Sequence, residues 1–490
     1  MTGTAAAWLA LPQPSRFVRE AGCWHPASAT VHADGAGLAD EAARLQQELA
    51  DLGIAQGEDS VIALRESTTR TSPEAFAIDV GDDIVIEAGA AAGAFRATRQ
   101  LLHNLRAQGH VPHGRVESEP AVAERGIHLD AARKHYPADW IIALLHDAAD
   151  VGVNVLQWHF SENEGFRLAS DAFPDVVSPD HITREEARRI VETARSLHID
   201  VVPSLDMPGH LGWVLNRHPE LRMPAADDPE ALVRSENALD ITRGEVVEFA
   251  RALIDDMIAH FPHSTRWNLG GDEFVDFARM DDHPALAAAA VARHGAGATG
   301  FDLLTGFVNE MAAHLRLRGF TGRVWNDGML RGSRVQLDHE VELTWWTNWH
   351  ARMRPLTDAL AAGHAVVNVS DAVFYYVLGE NAGYRYPTAE RVWDADWHPG
   401  LFPSLPDSSS LRPKRQEITQ PYPPQLRGCS FAIWSDDPGA QTPEEVAAGV
   451  RGPLRAMAER GWNGGSRLTL AEFSRLDDAI GTAVTRVASP

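Results

Sequence analysis

From Glu124 onward the chain repeats one local pattern, a short apolar run that reads as a β-strand followed by a longer stretch that reads as a helix. Eight such runs recur, at 126–129, 154–160, 200–205, 266–269, 323–325, 341–345, 365–369 and 428–433. Eight strands with intervening helices fit a closed (β/α)8 barrel, and no repeat of fixed period supports a solenoid. The residues up to about Glu117 are organised differently. Short strands at 60–64 and 83–87 alternate with helical stretches at 38–52 and 89–105, which reads as a small α+β module, and 109–120 reads as a linker. The expected fold is α/β, a TIM barrel over residues 119–490 preceded by an α+β domain over 1–118. At 490 residues, 44% of them hydrophobic, the chain can bury both cores.

Charge and cysteine content narrow the partners. A formal net charge of −24 disfavours nucleic acid and anionic membrane, because binding phosphates calls for clustered Lys and Arg. A neutral or small substrate is expected instead. Cys23 and Cys429 are the only cysteines and have neither metal nor redox spacing, so they read as reduced thiols of a cytoplasmic protein. The first residues carry no basic stretch before their apolar run, which disfavours a secretory signal. No run approaches the ~20 apolar residues of a membrane span. Whether the chain forms a homodimer is not legible in the sequence.

Barrels of this kind keep their chemistry at the C-terminal ends of the strands. The first strand region brings Arg125 and Asp130, the second His159, Glu162 and Asn163, the third Asp206 and His210. The fourth runs through two glycines into the adjacent carboxylates Asp272 and Glu273. The fifth ends in Trp325-Asn326-Asp327, the sixth in Trp345-Trp346, the seventh is followed by Tyr375-Tyr376, and the eighth by Trp434-Ser435-Asp436. An Asp-Glu pair alone is often a solvated loop, and any one of these tryptophans could be packing filler. Together, carboxylates ringed by tryptophans describe a sugar pocket: aromatic faces cover the C–H side of a pyranose while charged groups fix its hydroxyls.

At this point the chain resembles glycoside hydrolase family 20, the β-N-acetylhexosaminidases. The resemblance rests on Arg125-Gly126-Ile127-His128-Leu129-Asp130-Ala131-Ala132-Arg133, on the run from Asn154 to Arg167, on Pro203-Ser204-Leu205-Asp206-Met207-Pro208-Gly209-His210, and on Gly270-Gly271-Asp272-Glu273. It implies hydrolysis assisted by the substrate's own 2-acetamido group, an exception among retaining glycosidases, with neither metal nor cofactor. Glu273 is then the general acid and later the base, a role that needs a carboxyl able to hold a proton near neutral pH. Asp272 orients the acetamide and stabilises the oxazolinium charge. Tyr376, six residues after Ser370, hydrogen-bonds the acetamide oxygen. Trp325, Trp346 (rather than Trp345) and Trp434 form the cage. Arg125 binds the 3- and 4-hydroxyls, Asp436 the 4- and 6-hydroxyls, and Asp327 joins the substrate-binding carboxylates. His210 couples to the acid/base, backed by Glu162, or is a satisfied core histidine.

Three departures from the family pattern bear on specificity. Glu162-Asn163 replaces a usual pair of aspartates, Val377-Leu378 a usual Leu-Asp, and Asp436 a usual Glu. The shorter acid leaves room near O4 and O6, as in family members that are lacto-N-biosidases or accept 6-substituted sugars. The segment 390–425 is expected at the pocket mouth or as an inert surface loop. Two other readings compete: a sugar-binding barrel without turnover, which the presence of both Asp272 and Glu273 disfavours, and a metal-dependent hydrolase suggested by 22 histidines and His128-Leu129-Asp130, which lacks a spaced His set.

Overall fold

The structure is a computed structural model that describes residues 7–225, 233–349, 352–406 and 413–483. Period-two burial along Phe76–Val80 and Ile84–Ala88 puts one face of each strand into an apolar core, and this pattern organises the whole N-terminal domain. Its six-stranded sheet runs β1-β6-β4-β5-β3-β2, with β1 Arg16–Trp24, β2 Thr30–Asp34, β3 Val61–Glu66, β4 Phe76–Val80, β5 Ile84–Ala88 and β6 Val111–Ser118. The segment expected as a linker is therefore mostly strand: β6 pairs antiparallel with both β1 and β4. Its alternating buried residues Val111, Gly114 and Val116 carry the period of two, which the flanking glycines and prolines mask in the sequence.

The helix Ala91–Gln108 is buried from Gly93 to Leu105, because it is covered by the sheet on one side and by the barrel on the other. Arg96 makes the joint. It donates to the Ala149 and Val153 carbonyls of the barrel and pairs with Glu74 at 2.9 Å.

The barrel strands are β7 Glu124–Asp130, β8 Val155–Ser161, β9 Asp200–Met207, β10 Arg266–Gly270, β11 Thr321–Trp325, β12 Glu342–Trp345 and β13 Val366–Asn368, followed after three further strands by β17 Leu426–Trp434. All neighbours are parallel and the β13–β17 pairing closes the ring, so each of the eight expected strands is present. Most of their residues are buried on both faces, as a parallel sheet covered by helices requires. At the N-terminal end the interior is closed by Arg323 of β11, which donates two hydrogen bonds to Glu124 of β7 and pairs with Glu342 of β12 at 2.6 Å.

Between β13 and β17 lie β14 Tyr375–Val377, which extends the sheet beside the C-terminal half of β17, and the hairpin β15 Leu401–Leu405 with β16 Lys414–Glu417. The described part of 390–425 packs against the outside of the barrel. Trp397 meets Phe374 edge-on at 4.4 Å, and Gln416 donates to Asn348 at 2.7 Å. Residues 407–412 of that segment lie outside the described residues.

Candidate active site

The end of β10 sets the centre of the site. Asn268 accepts from the Gly270 amide at 2.7 Å and turns the chain sharply, and Gly270 and Gly271 follow at φ +74° and +83°. A Cβ on Gly270 would stand 2.6–2.7 Å from Asp206, so both the left-handed backbone and the close approach demand glycine. Glu273 itself has φ +37°, and His210 on the neighbouring loop has φ +58°. Two non-glycine residues in this sparsely populated region at one strand-end cluster mark backbone held against its own preference.

These turns bring Asp272, Glu273 and His210 to the wall of one pocket of about 480 Å3, together with Arg133, Trp325, Trp346, Tyr375, Val377, Trp434 and Asp436. Trp325 and Trp434 lie 5.8 Å apart between ring centroids. Trp346 stacks on Tyr375 at 5.7 Å and 5°, and Tyr375 meets Trp434 at 5.9 Å. The result is an aromatic floor with carboxylates above it. Trp346 Nε1 donates to Asp327 at 3.1 Å, while Asp272 Oδ1 and Trp325 Nε1 are buried with no hydrogen-bond partner among the described residues.

Charge is organised around His210. Its Nδ1 lies 2.6 Å from Glu162, and its Nε2 lies 3.5 Å from Asp272 and 3.9 Å from Glu273. Burial alone would lower the imidazole pKa, but Glu162 and Asp272 outweigh it and hold His210 well above the ordinary range. Glu162 is shared with Arg133 at 2.8 Å, and Arg133 also pairs with Asp130 at 2.9 Å and Glu164 at 3.3 Å, 3.8 Å from Asp436. Burial pushes the Asp272 carboxyl well above the usual carboxylate range; His210 opposes the shift, and Asp206, Asp327 and Glu273 add to it. Asp327 is pushed up to about 7, by burial first and by Glu273 second.

The Asp327 shift has a measurable consequence. A carboxyl with a folded pKa above its unfolded value of ~3.9 keeps its proton in the fold where the unfolded chain has released it. The stability it contributes is thus present below pH ~4 and is lost as pH rises toward 7. Asp327→Asn retains an oxygen for Trp346 and removes the titration, so its melting temperature should fall less than wild type between pH 5 and pH 8. Parallel slopes for the two proteins would show that Asp327 is not buried with a raised pKa.

The family is decided by the sequence profiles of known domains. The profile "Glycosyl hydrolase family 20, catalytic domain" matches residues 123–465, and "Glycosyl hydrolase family 20, domain 2" matches 11–117. The chain belongs to glycosyl hydrolase family 20. Among family 20 relatives, the "Lacto-N-biosidase" of Bifidobacterium bifidum is 27% identical over 466 residues, which cover 92% of this chain and 40% of that protein. The "Beta-hexosaminidase" of Vibrio furnissii is 27% identical over 308 residues, 56% of this chain and 50% of that one. The chain thus spans half or less of the length of these two relatives. The crystal structure of a β-N-acetylhexosaminidase from Bacteroides fragilis shares the fold, with a TM-score of 0.77 at 22% identity over 97% of each chain.

Two residues singled out in the sequence do not reach the family 20 pocket. Arg125 stands at the beginning of β7, and at ~3.3 Å per residue the five steps to Asp130 put it ~17 Å from the strand end that forms the pocket. It is fully buried against the N-terminal domain, with both Glu74 oxygens at 2.6–2.7 Å and the Trp462 ring under its guanidinium at 4.9 Å. Arg133, three residues past the same strand, occupies the pocket instead. Tyr376 is the second correction. The helical turn Asp371–Phe374 lies between Ser370 and β14, so counting from Ser370 does not fix which face a residue takes. Pairing with β17 does: Tyr375 and Val377 sit opposite Ala432 and Trp434 and face in, whereas Tyr376 faces out, donates to Gln441 at 3.0 Å and stacks on Tyr386 at 4.4 Å.

The other candidates, Asp272, Glu273, His210, Glu162, Trp325, Asp327, Trp346, Trp434 and Asp436, converge at the strand ends. Among the described residues, 390–425 contributes nothing to the pocket lining. Ala382, Gly383 and Tyr384 line it from the loop after β14, and Trp349, 58% exposed, stands at its mouth. His128, weighed above as a metal ligand, instead stacks under Trp434 at 4.3 Å and is held by Gln157 at 2.9 Å. No group of three or more His, Cys, Asp or Glu side chains is arranged to hold a metal ion among the described residues.

Proposed function

We propose that this family 20 protein is a retaining exo-β-N-acetylhexosaminidase that removes terminal β-linked GlcNAc or GalNAc with the help of the substrate's acetamido group. The observation that carries the reading is Asp272 Oδ1, a buried carboxylate oxygen with no partner, in an aromatic pocket beside Glu273. Buried acceptors are normally satisfied, and an acetamide N–H supplies the missing donor. Holding that group against Asp272 and under Trp325, Trp346 and Trp434 bends its oxygen toward the anomeric carbon, which converts attack into an intramolecular step.

In the empty pocket an anionic Asp272 is costly, because it is buried among other carboxyls. A cation developing on the oxazolinium ring relieves that cost, so the interaction strengthens where the barrier lies. Glu273 protonates the leaving oxygen and then takes a proton from water. Tyr375 takes the role assigned to Tyr376 from sequence, donating to the acetamide oxygen, and Arg133 with Asp436 holds the ring hydroxyls. The printed names of the relatives, a lacto-N-biosidase and a β-hexosaminidase, support a β-linked N-acetylhexosamine at the cleaved bond.

A thiazoline that mimics the cyclised acetamide tests the reading. It should inhibit at least about 10²-fold more tightly than free GlcNAc, the range expected of a transition-state mimic. Affinity no better than that of GlcNAc would point to a carboxylate nucleophile.

A further inference from the structure

A second chamber of about 270 Å3 adjoins the pocket and shares three of its walls, Arg133, His210 and Glu273. The rest of its described lining is mainly polar: Asn163, Arg234 and Asn237, with Phe274 as the apolar side chain facing them. Asn163 Oδ1 accepts from the Gly212 amide at 3.0 Å, which fixes the carboxamide. The Asn237 carboxamide has no hydrogen-bond partner among the described residues, and a Cβ on Gly212 would sit 2.8 Å from its oxygen, so glycine there leaves the amide its place. Paired amides, a guanidinium and one aromatic face match a polyol ring better than a charged or wholly apolar ligand.

The position of the chamber decides which ring. With the acetamido carbon over Asp272 and the glycosidic oxygen at Glu273, the next carbon round the ring carries a hydroxyl toward Arg133. Three carboxylates pin that guanidinium between the two cavities. We infer that the chamber is a second pyranose subsite on the non-reducing side, so that the enzyme also accepts a β-N-acetylhexosaminide substituted at O3 by a further sugar and releases the disaccharide intact. The inference rests on the function proposed above. The bond broken is still that between the anomeric carbon and the leaving oxygen: water's oxygen goes to the carbon, and its protons are handled by Glu273.

The test uses two aryl glycosides with one leaving group, aryl β-GlcNAc and the aryl glycoside of β-hexosyl-(1→3)-GlcNAc, together with chitotriose. Wild type should cleave both aryl substrates and release the second sugar pair as an uncleaved disaccharide. Asn237→Ala should lower kcat/KM for the disaccharide glycone by about tenfold, the scale of one lost hydrogen bond, and change aryl β-GlcNAc by no more than about twofold. Cleavage of aryl β-GlcNAc alone overturns the subsite. A loss confined to chitotriose assigns the chamber to the leaving-group side and overturns it too. If folded enzyme cleaves neither aryl substrate, the underlying function fails as well.

Discussion

Glu273→Gln should lower kcat on natural glycosides by roughly 10²–10⁴, the usual worth of a positioned general acid, and should lower it far less on substrates with an activated aryl leaving group. The asymmetry follows from what the residue does. A sugar alkoxide cannot leave without a proton, whereas a nitrophenolate can. The geometry makes Glu273 suited to this task, because its strained backbone points it into the pocket and the protonated His210 stands 3.9 Å from its carboxyl. Gln is nearly isosteric, so a folding defect does not confuse the result. Parallel kcat and kcat/KM measurements on a chitobiose-type and a nitrophenyl substrate decide the matter, and equal losses on both would remove Glu273 from the role of acid.

What the sequence made legible follows from which physical signals are local. Eight barrel strands could be read because strands buried on both faces are unbroken apolar runs, and the intervals between them are those of βα units. The strand β6 was read as a linker because its alternation is weak between Gly109, Pro112 and Gly114, and its partner β1 lies about ninety residues away in sequence. At the site, residues directly at or after a strand end were placed well: Asp272 and Glu273, Trp325 with Asp327, Trp434 with Asp436. The failures came where position along a strand, or the face of one, had to be known. Arg125 sits in a motif that spans a whole strand, so one motif supplies residues to opposite ends of the barrel. Tyr375 and Tyr376 differ by a single step of alternation, which a short helical turn before them reset. The side chamber had no sequence signal, since Asn163, Arg234 and Asn237 come from separate loops and meet only in the fold.

The two arginines of the first strand region therefore predict opposite phenotypes. Arg125 is a buried joint: its guanidinium serves Glu74, the Gly152 carbonyl and the Val122 carbonyl. Burial would raise the Glu74 carboxyl, but Arg125 and Arg96 outweigh it and keep it ionised below the usual carboxylate range. Arg125→Met should leave that carboxylate buried with Arg96 as its remaining partner and cost about 3–5 kcal/mol, the penalty for breaking a buried ion pair. The molecules that remain folded should keep their kcat/KM. Arg133→Lys keeps the charge beside Asp130 and Glu162 but gives up the planar fork that binds two hydroxyls at once. Losing a charged hydrogen bond is worth about 1.5–3 kcal/mol, so kcat/KM should fall roughly ten- to hundredfold with little change in denaturant midpoint. Urea unfolding and steady-state kinetics on the same two preparations separate the cases. A catalytic loss in Arg125→Met at unchanged stability, with Arg133→Lys fully active, would return the hydroxyl-binding role to the arginine inside the strand, and the pocket would then lie at a different end of the barrel from the one proposed.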